Sequence, residues 1–411
     1  MELKEYKLSQ LLEIKNGKDH QNLSDGQYPV FGSGGIMRYI NSFLYDKPSI
    51  LLPRKGSLTN IQFCEVPFWT VDTTYYTVVD ETIANPYYLY RYLSLLDLSR
   101  LDSGTGVPSM TFDSYYNIKV KLPDLTTQQH LAAVLVNIDK KIVLNHAINQ
   151  NLEALAKQLY DYWFVQIDFP NEEGKPYKSS GGKMRYCDEL QIMIPDDWNV
   201  CRLSEFVSKN NTGDWGADNP SENSIEVGCI RGADIIKLNN LPIRYIKSSN
   251  RAKLLSEWDV VIEVSGGSPV QATGRSAFIT PGVIERNGGK ITCSNFCHAF
   301  SFKDYKESAY FFYIWRMFYD NDIMFNYEGK TSGIKNFMTE TFLANRWVKA
   351  PKELVYKFFD AIKGVYAKID ANITENNDLI KQRDELLPLL MNGQVSLNSD
   401  LSIYYTFYKY T

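Results

Sequence analysis

The sequence lacks a surplus of positive charge: 44 Lys and Arg stand against 48 Asp and Glu, a formal net charge of −4 at pH 7. The segments divide the same way, with 12 basic against 13 acidic residues over 1–123 and 18 against 18 over 195–351. That balance excludes a broad basic surface gripping nucleic acid by itself, because phosphate contacts dominate such binding. Any contact with DNA needs local basic patches, or partners that supply most of the phosphate contacts. The sequence also has no apolar run near the 18 or so residues a membrane span requires. Its charged start, Met1-Glu2-Leu3-Lys4-Glu5, is no secretion signal. The six cysteines (Cys64, Cys187, Cys201, Cys229, Cys293 and Cys297) are too scattered for a disulfide framework. These features predict a cytoplasmic protein with reduced thiols and no membrane partner.

Catalytic motifs are equally scarce. The four histidines (His20, His130, His146 and His298) have no Ser or Cys nucleophile beside them in a recognisable arrangement. Asn85-Pro86-Tyr87-Tyr88 superficially resembles an adenine-methyltransferase signature, but it reads better as a helix start with proline in the first turn. Gly32-Ser33-Gly34-Gly35 lacks the Lys-Ser/Thr ending of a phosphate-binding loop and reads as a turn. Cys293, Cys297 and His298 have no second ligand pair to complete a metal site, which favours buried structural cysteines. No catalytic residue and no metal ligand is assigned.

What the sequence does contain is two long seams. Leu131, Leu135, Ile138, Ile142, Asn145, Asn149, Leu152, Ala156, Leu159 and Trp163 recur at alternating steps of four and three. So do Val355, Phe359, Ile362, Tyr366, Ile369, Ile373, Asn376, Ile380, Arg383 and Leu387. A seam sustained over nearly five heptads predicts a helix lying along another helix, a rod of roughly 50 Å. The two are related: Ile138-Asp139-Lys140-Lys141-Ile142 with Asn145 matches Ile369-Asp370-Ala371-Asn372-Ile373 with Asn376. Asparagine at a seam costs stability but fixes register.

The rest of the chain is duplicated too. Before the first rod, turn clusters separate β-rich runs such as Ser49 to Leu52 and Tyr75 to Val79. A helix follows Asn85-Pro86, and after a polar loop at 103–109 a strand from Ile118 ends at Pro123. After the first rod, Asp168 to Met184 has the Gly, Pro, Lys and Ser content of an exposed connector. Then the pattern restarts. Val200 to Phe206 echoes Glu5 to Leu11; Ser256 to Val264 with Ser265-Gly266-Gly267 echoes Asp46 to Pro53 with Arg54-Lys55-Gly56. The loop Gly329 to Lys335 and the strand Arg346 to Lys349 echo residues 103–123. The chain reads as an imperfect repeat: globular unit, rod, globular unit, rod. Aromatic content of 14%, with 28 Tyr, suits packed sheets, interfaces and base contacts alike.

In this order and spacing the chain resembles the specificity subunit of type I restriction–modification enzymes. Tyr28-Pro29-Val30-Phe31-Gly32 resembles an opening of the family's target-recognition domains. Leu122-Pro123 with Gln128, then Ala132 to Ile142, resembles the entry into its central helix. Trp163-Phe164-Val165 through Asp168-Phe169-Pro170 to Met184 is similar to its connector, and Ile194-Pro195-Asp196-Asp197-Trp198 to the start of its second recognition domain. The resemblance implies an α+β fold: two globular, mixed α/β target-recognition domains separated by two long antiparallel coiled-coil helices, a pseudo-twofold internal repeat. The corresponding segments are a first recognition domain at 1–123, the first conserved helix at 124–165 and a connector at 166–194. A second recognition domain at 195–351, the second conserved helix at 352–392 and a tail at 393–411 follow. It also implies that each domain reads half of a split, asymmetric sequence in double-stranded DNA while the rods set the unread spacer. Two methylation (M) subunits would dock on the conserved regions and restriction (R) subunits would join them. S-adenosylmethionine and ATP would be bound in those partners, and no cofactor by this chain.

Candidate DNA-contacting residues are basic and amide side chains in turn-rich loops, which can reach phosphates and base edges. In the first domain they are Arg38, Arg54, Lys55, Thr59 and Asn60, with Thr105 in the Gly-rich loop. In the second they are Arg231, Gln271, Thr273, Arg275, Lys330, Thr331 and Lys335. Two rival readings are the recognition part of a DNA methyltransferase or nuclease, and a structural coiled-coil adaptor that binds proteins. The first would need several hundred further residues of catalytic domain.

Overall fold

The computed structural model describes residues 2–98, 108–268, 270–331 and 334–391. The chain forms two compact units, Met1–Val143 with Asn376–Thr411, and Leu144–Glu375.

The first unit opens with β1 (Lys4–Lys7), β2 (Leu12–Lys15), β3 (Asp25–Gly32), β4 (Gly35–Ile40), β5 (Ser49–Pro53), β6 (Gln62–Cys64), β7 (Trp69–Thr70) and β8 (Thr74–Val79). α1 (Pro86–Ser94), α2 (Phe112–Tyr116) and β9 (Lys119–Leu122) follow. Among the described residues the strands form sheets ordered β2-β8-β5-β6, β4-β3-β7 and β1-β9. β5 is flanked on both sides and buried throughout, so it reads as an unbroken apolar run. β9 pairs on one side only and alternates exposed with buried residues. Asn85 caps α1, its side chain accepting from the Tyr88 N–H at 2.9 Å with Pro86 at the first helical position. The methyltransferase look-alike is therefore a helix cap.

The second unit continues from the first rod through a π-turn, Asp161–Val165, that drives Phe164 into the core. It then contains β10 (Met184–Cys187), β11 (Ile192–Pro195), β12 (Asn199–Arg202), β13 (Val207–Thr212), β14 (Ser224–Ile230) and β15 (Ile243–Lys247). β16 (Val260–Glu263), β17 (Ser265–Gly266), β18 (Ser276–Phe278), α4 (Pro281–Arg286), β19 (Ile291–Cys293), β20 (Cys297–Phe302) and α5 (Ser308–Asp320) follow. β21 (Glu328–Thr331), β22 (Ile334–Phe337), α6 (Thr339–Leu343) and β23 (Arg346–Lys349) complete the globular part.

The sheet orders β13-β20-β16-β18, β15-β14-β19 and β12-β23 reproduce those of the first unit strand for strand. Equivalent backbone bonds recur. Arg54 N–H donates to the Thr73 carbonyl at 2.8 Å and Val264 N–H to that of Phe296 at 2.9 Å. Likewise Met110 N–H reaches Arg54 and Phe337 N–H reaches Val264. This sets Arg54 against Val264, one residue out of the sequence echo that aligned it with Ser265. Gly17 and Gly213 occupy equivalent corners, where a Cβ would overlap the carbonyl oxygens of Val71 and Ser294.

Two expectations need correction. The segment Asp168 to Met184 is a braced structure, whereas its composition suggested a loose connector. Asp168 accepts from the Ser179 N–H and hydroxyl at 2.7 and 2.6 Å, and Phe169 stacks on Tyr177 and Trp198 with centroids 4.6 and 5.5 Å apart. The expected loop at 329–335 is a hairpin of β21 and β22, to which β17 adds a third strand. Many aromatics serve the cores: Tyr88 and Tyr115 in the first unit, and Tyr160, Trp198, Tyr310, Tyr313 and Trp315 in the second, are fully buried.

The two long helices are α3 (Leu125–Tyr160) and α7 (Lys352–Met391), and each unit contains part of both. Within the first unit Arg383 bonds Asp139 at 3.0 Å and the Asn376 amide reaches the Ile142 carbonyl at 3.4 Å. Within the second, the Asn145 amide donates to Glu375 and the Asn372 amide to the Asn149 side chain, both at 2.7 Å. Rising numbers in α3 meet falling numbers in α7, so both segments pair antiparallel. Leu131, Leu135, Ile142, Asn145, Ile362, Ile369 and Asn376 are buried on the facing sides, and Ile138, Leu152, Leu159, Tyr366, Ile373 and Ile380 are half-buried. Asn372 is a further buried asparagine outside the four-three reading. An α-helix turns in 3.6 residues rather than 3.5, so a residue beside the seam can drift into it.

Candidate nucleic-acid interface

In the first unit the candidate loops are joined across β3, β5 and β8. Asn60 Nδ2 donates to the Ser33 carbonyl at 2.7 Å and Gln62 Nε2 to that of Gly32 at 3.0 Å. These bonds tie the loop after β5 to the glycine turn at 32–35, which walls a cavity of about 630 Å³ with Ile36, Met37 and Asp72. Arg54 Nη1 donates to the Asp72 carbonyl at 3.3 Å, and its guanidinium lies 5.9 Å from the Tyr75 ring centre. Lys55 and Thr59 are exposed. Arg38 is occupied, donating to the Asp25 carboxylate at 2.6 Å and the Leu23 carbonyl at 3.0 Å. Thr105 lies outside the described residues, as do the side chains of Lys330 and Thr331 in the second unit.

The second unit is organised around two carboxylates. Glu263 is 3% exposed and receives both prongs of Arg275, at 2.8 and 2.6 Å. Gly266, at φ +144°, and Gly232 pack on it, and a Cβ at either would stand 2.7 or 2.6 Å from its Oε1. Hydrogen bonding to Glu263 holds the Arg275 guanidinium above its usual pKa. Glu328 accepts the N–H and hydroxyl of Thr273 at 2.8 and 3.2 Å and pairs with Lys335 at 2.7 Å. Lys335 also donates to the Ser268 carbonyl at 2.8 Å.

Thr273 is wholly buried, and this corrects its assignment as a DNA contact. Arg275 is half-buried and gives two of its five N–H groups to the Glu263 carboxylate. Lys335 and Arg231 are internally engaged, Arg231 binding Asp234 with two bonds of 2.8 and 3.0 Å. Bonding to Asp234 holds that guanidinium above its usual range. Gln271 remains exposed, on a tight loop whose backbone bonds reciprocally to Ser268. Among the described members of the predicted set, Lys55, Thr59 and Gln271 are exposed and make no ion pair.

Sequence reasoning missed several polar and aromatic groups at the same loops. Ser265 hydrogen-bonds Asn336, Arg244 sits 4.2 Å over the Trp215 ring, and Phe296 is 56% exposed. Trp215, the one aromatic residue in the segment 210–219, was a visible signal. The cysteines are buried, and burial pushes the thiols of Cys229 and Cys297 up to about 12. Among the described residues no group of three or more His, Cys, Asp or Glu could hold a metal, and no helix is long and apolar enough to cross a membrane.

Residues 1–154 match the family profile described as the type I restriction modification DNA specificity domain. Over 372 residues the chain is 24% identical to the MjaIX specificity subunit, a type I restriction enzyme subunit of Methanocaldococcus jannaschii, covering 86% of this chain and 78% of that one. The HindI specificity subunit of Haemophilus influenzae is 25% identical over 351 residues, 74% of each chain. In fold the chain is similar to the crystal structure of a type I S subunit from M. genitalium, with a TM-score of 0.58 at 14% identity over 94% of this chain and 96% of that one. A duplicated fold, a matching specificity-domain profile over residues 1–154 and relatives matched over about three quarters of their length together make the chain similar, over most of its length, to the specificity subunits of type I restriction–modification enzymes.

Proposed function

We propose that this chain selects a bipartite, asymmetric sequence in double-stranded DNA, one half-site per globular unit, and presents it to partner subunits. The observation that carries the reading is the repeated sheet topology with divergent loops: one framework, two different surfaces. Lys55 and Thr59 in the first unit and Gln271 in the second are the proposed contacts. Lysine suits phosphate, and glutamine can pair with the edge of adenine. The paired long helices act as the spacer ruler. Their length is compatible with half-sites about one turn of B-DNA apart, near 34–36 Å, once the width of the domains is included.

Two methylation subunits dock on the conserved helices, where Leu144 and Leu155 are 54% and 52% exposed. They carry S-adenosylmethionine, and restriction subunits carry ATP, in the cytoplasm. The partners also supply most of the phosphate contacts that a chain of net charge −4 cannot. The test is methylation mapping of a host genome after expressing this chain with its methylation subunit. The expected result is two unlike base motifs separated by a constant unread gap. A single continuous motif would overturn the bipartite reading.

A further inference from the structure

We propose that Phe296 is an apolar wedge that enters the DNA stack in the half-site read by the second unit. The inference rests on the DNA-recognition reading above and deepens it. Phe296 lies in the tight turn between β19 and β20, closed by the Cys297 N–H donating to the Ser294 carbonyl at 2.9 Å. The turn is rigidly seated, since Cys293, Ser294 and Cys297 are at most 2% exposed. Phe296 is nevertheless 56% exposed, and among the described residues it has no ring partner.

A lone exposed apolar side chain is ordinary; the placement of this one is not. The Phe296 carbonyl accepts the N–H groups of Val264 and Ser265 at 2.9 and 3.2 Å, so the ring stands at the root of the loop that carries Gln271. Next to it, Asn295 accepts the Trp215 N–H at 3.2 Å, and on the same loop Val270 is 92% exposed. The repeat supplies a comparison. Thr73 is the counterpart in the first unit, its carbonyl accepting from Arg54 and Lys55 at 2.8 and 3.3 Å. There the loop itself supplies cations. In the second unit the described candidates Arg231, Arg275 and Lys335 are each paired with a carboxylate, of Asp234, Glu263 and Glu328, and the uncharged Gln271, Val270 and Phe296 are exposed. Such a surface needs a contact that does not depend on charge. Inserting an apolar side chain at a base step provides one, and bends or unstacks the duplex as it does so.

The test uses the chain assembled with its methylation subunits, and synthetic duplexes carrying the mapped target with 2-aminopurine placed in turn along the second half-site. Wild type should brighten the fluorophore at one base step. Phe296→Ala should abolish that signal and weaken binding roughly ten-fold or more, whereas Phe296→Trp should keep both. A duplex with an abasic site at that step should restore Phe296→Ala binding to within a few-fold of wild type. The proposal is overturned if Phe296→Ala brightens the probe and binds as wild type does. It is also overturned if the variant loses affinity equally for the abasic duplex, or loses its methylation subunits instead. Were the wild-type complex to bind no duplex, the DNA-recognition reading itself would fall and take the wedge with it.

Discussion

Adding one heptad to each long helix, after Val143 in α3 and after Glu375 in α7, should widen the unread gap of the target and leave both base motifs unchanged. Both insertion points lie at the boundary of the two units, just beyond the contact Ile142–Asn376 in the first and Asn145–Glu375 in the second. Seven residues keep the apolar seam in phase, so the helices can pair along their whole length. They add about 10 Å of helix, which corresponds to up to about three base pairs at 3.4 Å each. Methylation mapping of a host expressing the lengthened chain reads the gap directly. An unchanged gap, or altered half-sites, would count against the ruler.

Asp370→Ala should be among the most damaging substitutions in the second unit. Arg286 donates to Asp370 at 2.6 Å, and the two side chains are only 6% and 13% exposed. Replacing the carboxylate leaves a guanidinium buried beside an empty site, a loss of about 3–5 kcal/mol. The exposed pair of Lys119 with Glu5 should matter far less, because water screens it. Apart from Trp69, the tryptophans all lie within residues 144–375, so urea unfolding followed by tryptophan fluorescence reports on this unit. Converting both partners to apolar residues of similar volume should recover most of the loss, which separates a stranded charge from a lost scaffold contact. The sequence-equivalent Asp139 is held by Tyr87, Arg91 and Arg383 in the first unit. Each aspartate of the duplicated helix motif thus anchors a long helix to its own globular part.

Local patterns explain what could be read from the sequence. Heptad spacing reveals a helix seam because it depends only on residues a turn or two apart. The buried Asn145 and Asn376 followed from the same rhythm, and the Asn85-Pro86 helix start from capping chemistry. The candidate interface was much less legible, because the fate of a cation depends on which carboxylate the fold brings to it. Arg275 meets Glu263 twelve residues earlier, and Lys335 meets Glu328 across a hairpin whose sequence reads as a loop. Arg231 is the exception, since Asp234 is three residues away and the pair is visible in the sequence. Phe296 carried no signal of its own: an aromatic residue between two cysteines reads as core until the turn places it outside.

The central claim is that two unlike surfaces of one chain touch two separate half-sites, and site-specific crosslinking tests it most directly. A photoreactive side chain at Lys55 in one preparation and at Gln271 in another, each assembled with methylation subunits on the mapped target, would be crosslinked and the attachment points sequenced. The account predicts two attachment patches, one in each half-site, with the intervening gap unmarked. Attachment of both positions to the same half-site, or to the gap, would contradict it.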